Sequence, residues 1–330
     1  MVRVAVVGMG LMGMLHARIF QHLRDVEVIG AIDIDPDRRA EAERTLRVPA
    51  FRSLDEVLDS ADAVSVTLPD HLHVKASCLA LQQGKHVLVE KPLATTVEDA
   101  TEILAAQTAP HRLMVGHLLR FDLRLLELKR RIDGGTLGEI QYFRIHRANT
   151  RGGIRRLGGR ASVTAFLGVH DLDLMLWLTG ASITRVAARG RKIFSGQWDL
   201  SVAHVDLSTG ALAVVENHWL IHDAASRSCF AGIQVFGSRG TATVDLSTDE
   251  LELATDELGM SRRIDSRNWT HDGGITGGSL RRELEVFVEA IRAGTPMPVP
   301  GADGLRAVAA LNLVEKALDS DKAVRADPIV

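Results

Sequence analysis

Two patterns of apolar and polar positions divide the chain. Through residue 120, short apolar runs alternate with stretches of helical periodicity. The strand-like runs are Val2–Gly8, Val26–Asp33, Ala63–Leu68, His86–Glu90 and Leu113–Gly116. Helical stretches lie between them at Met12–Leu23, Pro36–Thr45, Ser53–Leu58, His73–Gln83 and Val97–Gln107. The last of these opens with a capping box at Thr95-Thr96-Val97-Glu98. Apolar strands alternating with helices predict a parallel, doubly wound sheet.

After residue 120 the period changes. Glu139–Ala148, Ile183–Phe194, Leu200–Leu207, Ala211–Ile221, Ile233–Gly237, Thr241–Leu246 and Leu251–Ala254 read as strands. They are joined by short turns such as Thr209-Gly210 and Gly237-Ser238-Arg239-Gly240. One helix, Val163–Leu178, interrupts them, and Leu280–Ala293 and Asp303–Ser320 close the chain. The expected class is α/β: residues 1–120 form the doubly wound domain. Residues 121–330 form an α+β domain with a large open, mainly antiparallel sheet, whose closing helices can pack back on the first domain. An open sheet face is commonly covered by a second copy, which predicts a homodimer or homotetramer.

Composition narrows the class further. At 330 residues the chain has room for two domains, and no apolar run approaches the roughly 20 residues that span a bilayer. Met1-Val2-Arg3 enters a strand at once, with no leader pattern. Cys78 and Cys229 are isolated, so no disulfide framework or zinc knuckle is expected, and the cytoplasm is the expected compartment. A net charge of −3 gives no general attraction to nucleic acid, and none is expected as a partner.

The first strand runs into Gly8-Met9-Gly10-Leu11-Met12-Gly13, and Asp33 ends the next apolar run. This is the dinucleotide fingerprint of a Rossmann domain. Gly8 makes the tight turn, Gly10 lets backbone approach a pyrophosphate, and Gly13 lets the helix pack on the sheet. The start of that helix presents N–H groups to phosphate. A carboxylate at Asp33, followed by Ile34, accepts from ribose hydroxyls and repels a 2′-phosphate, so NAD is expected over NADP. Arg38 and Arg39 read as a solvated helix face.

Glu90-Lys91-Pro92 ends a strand on the side where open α/β sheets bind ligands. Thr67-Leu68-Pro69 with His73 come before it, between Asp33 and Glu90, and Gly116-His117-Leu118-Leu119-Arg120-Phe121 and Gly168-Val169-His170-Asp171-Leu172-Asp173 come after it. In this order the motifs resemble the Gfo/Idh/MocA oxidoreductases over essentially the whole chain. The resemblance implies hydride transfer between NAD(P) and a ring carbinol of a sugar or cyclitol. It implies Lys91 and His170 as the catalytic pair, and Thr67, Leu68 and Pro69 along the cofactor, with His73 and Glu90 beside them. Gly116-His117, Arg120-Phe121 and the approach to Arg160 also resemble the branch acting on UDP-N-acetylhexosamines at carbon 3.

The chemistry suits those residue types. Removing hydride from a carbinol leaves an O–H proton, which a neutral imidazole takes while an ammonium stabilises the alkoxide. The family usually carries Asp four residues before this His; here Phe166 stands there. An α-helical i−4 position faces His170, so Phe166 would desolvate the ring, with Asp173 or Asp171 left to orient it. Arg144, Arg147, Arg151, Arg155, Arg156 and Arg160 lie between Glu139 and Asp171 with no acid among them. Arg147, Arg151 and Arg160, with Arg120 and Asp173, are the expected substrate contacts beside Lys91 and His170, and the substrate is read as anionic or a solvated loop as the alternative. No metal site is expected. Trp269, His271 and Gly273-Gly274 read as a loop over the substrate or an ordinary connection. The competing functions are a C=N or C=C reductase on a non-sugar substrate, and a non-catalytic NAD-responsive regulator.

Overall fold

The computed structural model describes residues 1–247, 250–253, 262–265, 271–272 and 275–326. The chain forms two compact units. One comprises residues 1–121 and 266–308; the other comprises 122–265 and 309–330.

The first unit begins with β1 (Val2–Val7), α1 (Leu11–Gln21), β2 (Val26–Ile32), α2 (Pro36–Leu46) and β3 (Ala50–Phe51). It continues with β4 (Ala63–Val66), α3 (His73–Gln82), β5 (His86–Glu90), α4 (Val97–Ala105) and β6 (Leu113–Gly116). The strands run parallel in the order β3-β2-β1-β4-β5-β6. Strand order reverses between β1 and β4, and there the chain leaves both strands at Gly8 and Thr67. β1 and β4 are buried almost throughout, which explains their unbroken apolar runs. Two local expectations change. Ser53–Leu58 is two 3₁₀ turns, Leu54–Glu56 and Leu58–Ser60, the first held by reciprocal bonds between Ser53 and Glu56. The cap of α4 is Thr96, whose side chain accepts from the Asp99 N–H at 3.1 Å. Thr96 is extended, so the helix starts one residue later than the box predicts.

The second unit opens with α5 (Leu123–Asp133), β7 (Ile140–Thr150) and α6 (Gly152–Leu157). A π-helical turn, Thr164–Gly168, runs directly into α7 (Val169–Thr179). Then come β8 (Ile183–Arg191), β9 (Leu200–Leu207), β10 (Leu212–Ile221), β11 (Cys229–Gly237) and β12 (Thr241–Asp245). With the short Val324–Arg325 strand at one edge, the sheet order is β12-β11-β7-β10-β9-β8-Val324–Arg325. It is mixed: β7 and β10 are parallel and the other neighbours antiparallel. Alternation fixes the faces. Phe143, Ile145, Val215 and Trp219 point inward, while Tyr142, Arg144, Glu216 and His218 point outward. The strand expected at Leu251–Ala254 is Glu250–Leu253, paired with Arg262–Asp265. Ala254, Trp269, Gly273 and Gly274 lie outside the described residues.

Two helices close the chain, α8 (Gly278–Ala293) and α9 (Gly301–Ser320). α8 buries Leu280, Leu284 and Phe287 in the core of the first unit. Among the described residues no helix is long and apolar enough to cross a membrane.

Candidate active site

The glycine loop of the first unit divides its three glycines by role. Gly8 has φ +94°, and a Cβ there would stand 2.9 Å from the Thr67 carbonyl oxygen. A Cβ on Gly13 would stand 1.9 Å from the Gly8 oxygen, so only glycine lets α1 close on the loop. Gly10 differs: the nearest atom to a Cβ is Arg38 Nη1 at 3.9 Å. That is a cradle kept open on the ligand side, and no side chain caps α1 behind it. Met9 is buried and donates its N–H to Asp33 Oδ2 at 2.8 Å; Asp35 N–H donates to Oδ1 at 2.9 Å. Leu11 and Ile34 are exposed, and Met12 is half-buried. Arg39 Nη1 donates to the carbonyls of Asp33 and Ile34, whereas Arg38 Nη1 lies 3.7 Å from Asp33 Oδ2. Arg38 therefore flanks the cradle rather than pointing into solvent alone. The residues present fit a dinucleotide.

The neighbouring loops are tied to this one. The Thr67 hydroxyl bridges the Val7 and Gly8 carbonyls at 2.9 and 2.8 Å. Leu68 is half-buried and Pro69 exposed. His73 is only 1% exposed, and its two ring nitrogens lie 2.9 Å from the Pro92 and Leu68 carbonyls. It staples the two loops from behind instead of facing a ligand, which revises the direct cofactor contact expected of it.

Lys91 leaves the end of β5 half-buried, and its N–H donates to Glu90 Oε2 at 3.1 Å. Glu90 is itself buried. His16, on α1, brings Nε2 to 3.2 Å from Glu90 Oε1, with its Nδ1 2.9 Å from Ser65 Oγ. Burial works to raise the Glu90 pKa, but the His16 ring and Lys91 outweigh it and leave it below the ordinary value. Gly116 packs closely on the backbone at the end of β5, where a Cβ would stand 3.3 Å from Glu90 Cα and the Val89 carbonyl oxygen. Glu283 of α8 completes a buried group, with one ligand-type atom each from His16, Glu90 and Glu283 within 4.8 Å of one another. Arg120, expected at the substrate, is buried and gives Nη1 to Asp303 Oδ2 at 2.6 Å within the same unit.

In the second unit His170 is the second residue of α7 and is half-buried. The segment between Phe166 and His170 passes from a π-turn, Thr164–Gly168, into α7. Phe166 packs on Trp219, ring centroids 5.7 Å apart, in a cluster with Val163 and Leu167. Asp171 does not serve as the ring's partner either. It is fully buried, with Oδ1 accepting from Arg147 Nε and Nη2 at 3.0 and 2.8 Å and Oδ2 from Asn217 Nδ2 at 2.7 Å. Asp173 is buried one turn after His170.

Among the described arginines of this stretch, several have partners of their own. Arg147 spends its fork on Asp171, so the substrate contact expected of it is replaced by an internal ion pair. The period-2 pattern held the reason: Phe143, Ile145 and Arg147 share the inward face of β7. Arg144 faces the other side, 3.7 Å from Glu216, and Arg155 pairs with Asp223 at 3.0 Å. Arg151 lies over the Phe194 ring at 4.3 Å, and Arg160 Nε donates to the Leu157 carbonyl. Sequence reasoning missed His16, Asn217 and Asp303. Asn217 had a signal, a polar residue among inward Ala213, Val215 and Trp219; His16 had the weaker one of following Gly13 by three on the sheet-facing side of α1.

Comparison with known proteins agrees with this geometry. Residues 2–117 match the Gfo/Idh/MocA description "Oxidoreductase family, NAD-binding Rossmann fold", and residues 125–243 match its C-terminal domain. The chain is 27% identical to UDP-N-acetylglucosamine 3-dehydrogenase of Acidithiobacillus ferrooxidans, covering 96% of this chain and 97% of the relative. It is 26% identical to myo-inositol 2-dehydrogenase of Thermotoga maritima, covering 99% of each. The fold is shared with scyllo-inositol dehydrogenase of Lactobacillus casei, solved with NAD(H) and scyllo-inositol, at a TM-score of 0.81, 20% identity and 98% of each chain. With an open glycine cradle closed on Asp33 and both domains of one family matched in order, the chain belongs to the Gfo/Idh/MocA family and is an NAD-binding oxidoreductase of the dehydrogenase type.

Proposed function

We propose that the protein moves hydride between NAD and a secondary alcohol, or the matching ketone, on the ring of a cyclitol, sugar or nucleotide-sugar. The observation that carries this reading is the Gly10 cradle beside Asp33, in the unit that also presents Lys91 at the end of β5. Gly8–Gly13, Asp33 and the Thr67–Pro69 loop hold the dinucleotide, whose nicotinamide supplies hydride acceptance and donation. The chain's own residues manage charge and proton. The His170 imidazole takes the substrate O–H proton in the oxidative direction, and the Lys91 ammonium stabilises the developing alkoxide. The Glu90 carboxylate lies beside Lys91, accepting its backbone N–H at 3.1 Å.

Relatives named for inositols and for UDP-N-acetylglucosamine support a polyhydroxylated ring as the substrate. Arg151, stacked over the Phe194 ring, is the arginine through which an anionic form would be read. Carboxylates already engage Arg144, Arg147 and Arg155. The outer face of the second unit's sheet is the proposed self-association surface, giving a homodimer or homotetramer. The cytoplasm is the proposed compartment, a reading that rests on Cys78 and Cys229 being far apart and isolated in the sequence. Absorbance of reduced nicotinamide, followed over a panel of cyclitols, sugars and nucleotide-sugars, tests the function. Turnover on at least one ring carbinol is expected; cofactor binding with no turnover across the panel overturns it.

A further inference from the structure

We propose that Asn217, acting with Arg147, is a positioning residue that locks the Gly168–Asp171 step of the helix and thereby aims His170. The proposal rests on the reading of His170 as the base.

Asn217 on β10 and Arg147 on β7 are direct partners across the parallel pair, both inward-facing. Together they present three N–H donors to one carboxylate, that of Asp171. Asn217 also closes on Gly168: a Cβ there would stand 2.5 Å from Asn217 Oδ1. One amide therefore touches the chain on both sides of His170, with Oδ1 against Gly168 and Nδ2 on Asp171. The preceding π-turn replaces the regular i→i−4 ladder, and Gly168 gives α7 no side-chain cap. The step lies where the π-turn passes into the α-helix. The buried fork fixes it.

The arrangement is costly, which argues for a use. Burial pushes the Asp171 carboxyl up, against the pull of Arg147 and Asn217. A buried pair of this kind is often no more stabilising than apolar residues of similar size.

Two variants and their combination test the proposal: Asn217→Ala, Gly168→Ala and the double variant. Folding is followed by denaturant melts, and NAD binding by titration of the whole enzyme. A misplacement near 1 Å costs up to about 100-fold in rate. Each single variant is therefore expected to lose roughly 10- to 100-fold in kcat, with NAD affinity unchanged. Because Gly168→Ala acts by displacing Asn217, adding it to Asn217→Ala should cost little more. A folded Asn217→Ala or Gly168→Ala variant with unchanged kcat overturns the proposal, as do fully additive losses. Should Asn217→Ala fail to fold, Gly168→Ala alone decides by the same criterion. Full turnover by His170→Ala would sink the base assignment instead, an outcome distinct from each of these.

Discussion

Met9 donates its backbone N–H to the Asp33 carboxylate at 2.8 Å, joining residues 24 apart in sequence. The bond does two things. It closes the glycine loop onto the end of β2, and it holds a carboxylate beside the cradle as the acceptor we propose for the adenosine ribose. Asp33→Ala should weaken NAD binding by about 1.5–3 kcal/mol, the usual worth of a hydrogen bond to a charged group. NADP should lose less, so the preference narrows. Titration of both cofactors measures this, and tighter NADP than NAD binding by the unsubstituted protein would contradict the role given to Asp33.

Gly10 and Gly13 should separate binding from folding. Gly10 has room for a Cβ on the protein side, whereas Gly13 has the Gly8 oxygen 1.9 Å away from that position. Gly10→Val is expected to fold with little change in melting temperature and to lose NAD binding. Gly13→Ala is expected to lose stability by about 1–3 kcal/mol, as overpacked sites do. Thermal melts with and without NAD distinguish them; an unstable Gly10→Val with intact affinity would reverse the assignment.

The Glu90 carboxyl sits below its ordinary value because His16 and Lys91 outweigh its burial. A lowered carboxyl adds stability above the unfolded value of 4.5 and loses that contribution as pH falls through the folded value. Glu90→Gln removes the titrating group. The stability gap between wild type and Glu90→Gln should therefore shrink as pH drops below 4.5 in denaturant melts. A gap that widens on acidification would mean that Glu90 is held neutral in the fold.

The outer sheet face offers Tyr142 against Phe236, ring centroids 5.8 Å apart, with the exposed Leu212 paired beside Tyr142. Phe236→Arg is expected to shift the protein to a smaller assembly by light scattering while leaving unfolding by denaturant largely unchanged. A monomeric wild type would remove the proposed interface.

The parallel sheet was legible because its strands are buried on both faces and bounded by glycine or acid. What escaped was shorter or better disguised. β3 is a two-residue edge strand with no periodicity to read. α5 buries only Leu125 and Leu128 beneath a basic surface. At the site, the glycine loop, Asp33 and Lys91 were marked by motif. Arg147 was misread because local charge density drew attention away from its inward position on β7. The π-turn before His170 left no mark, since a one-residue change in helical register has no apolar signature.

The central claim is that Lys91 and His170 serve one hydride transfer. Its most direct measurement is steady-state turnover by Lys91→Ala and His170→Ala on whichever ring carbinol the wild type oxidises, alongside NAD titration of His170→Ala. The account predicts kcat down by at least about 100-fold in each, consistent with loss of a general base or an alkoxide-stabilising cation, with NAD still bound by His170→Ala. Wild-type turnover by either variant would contradict it.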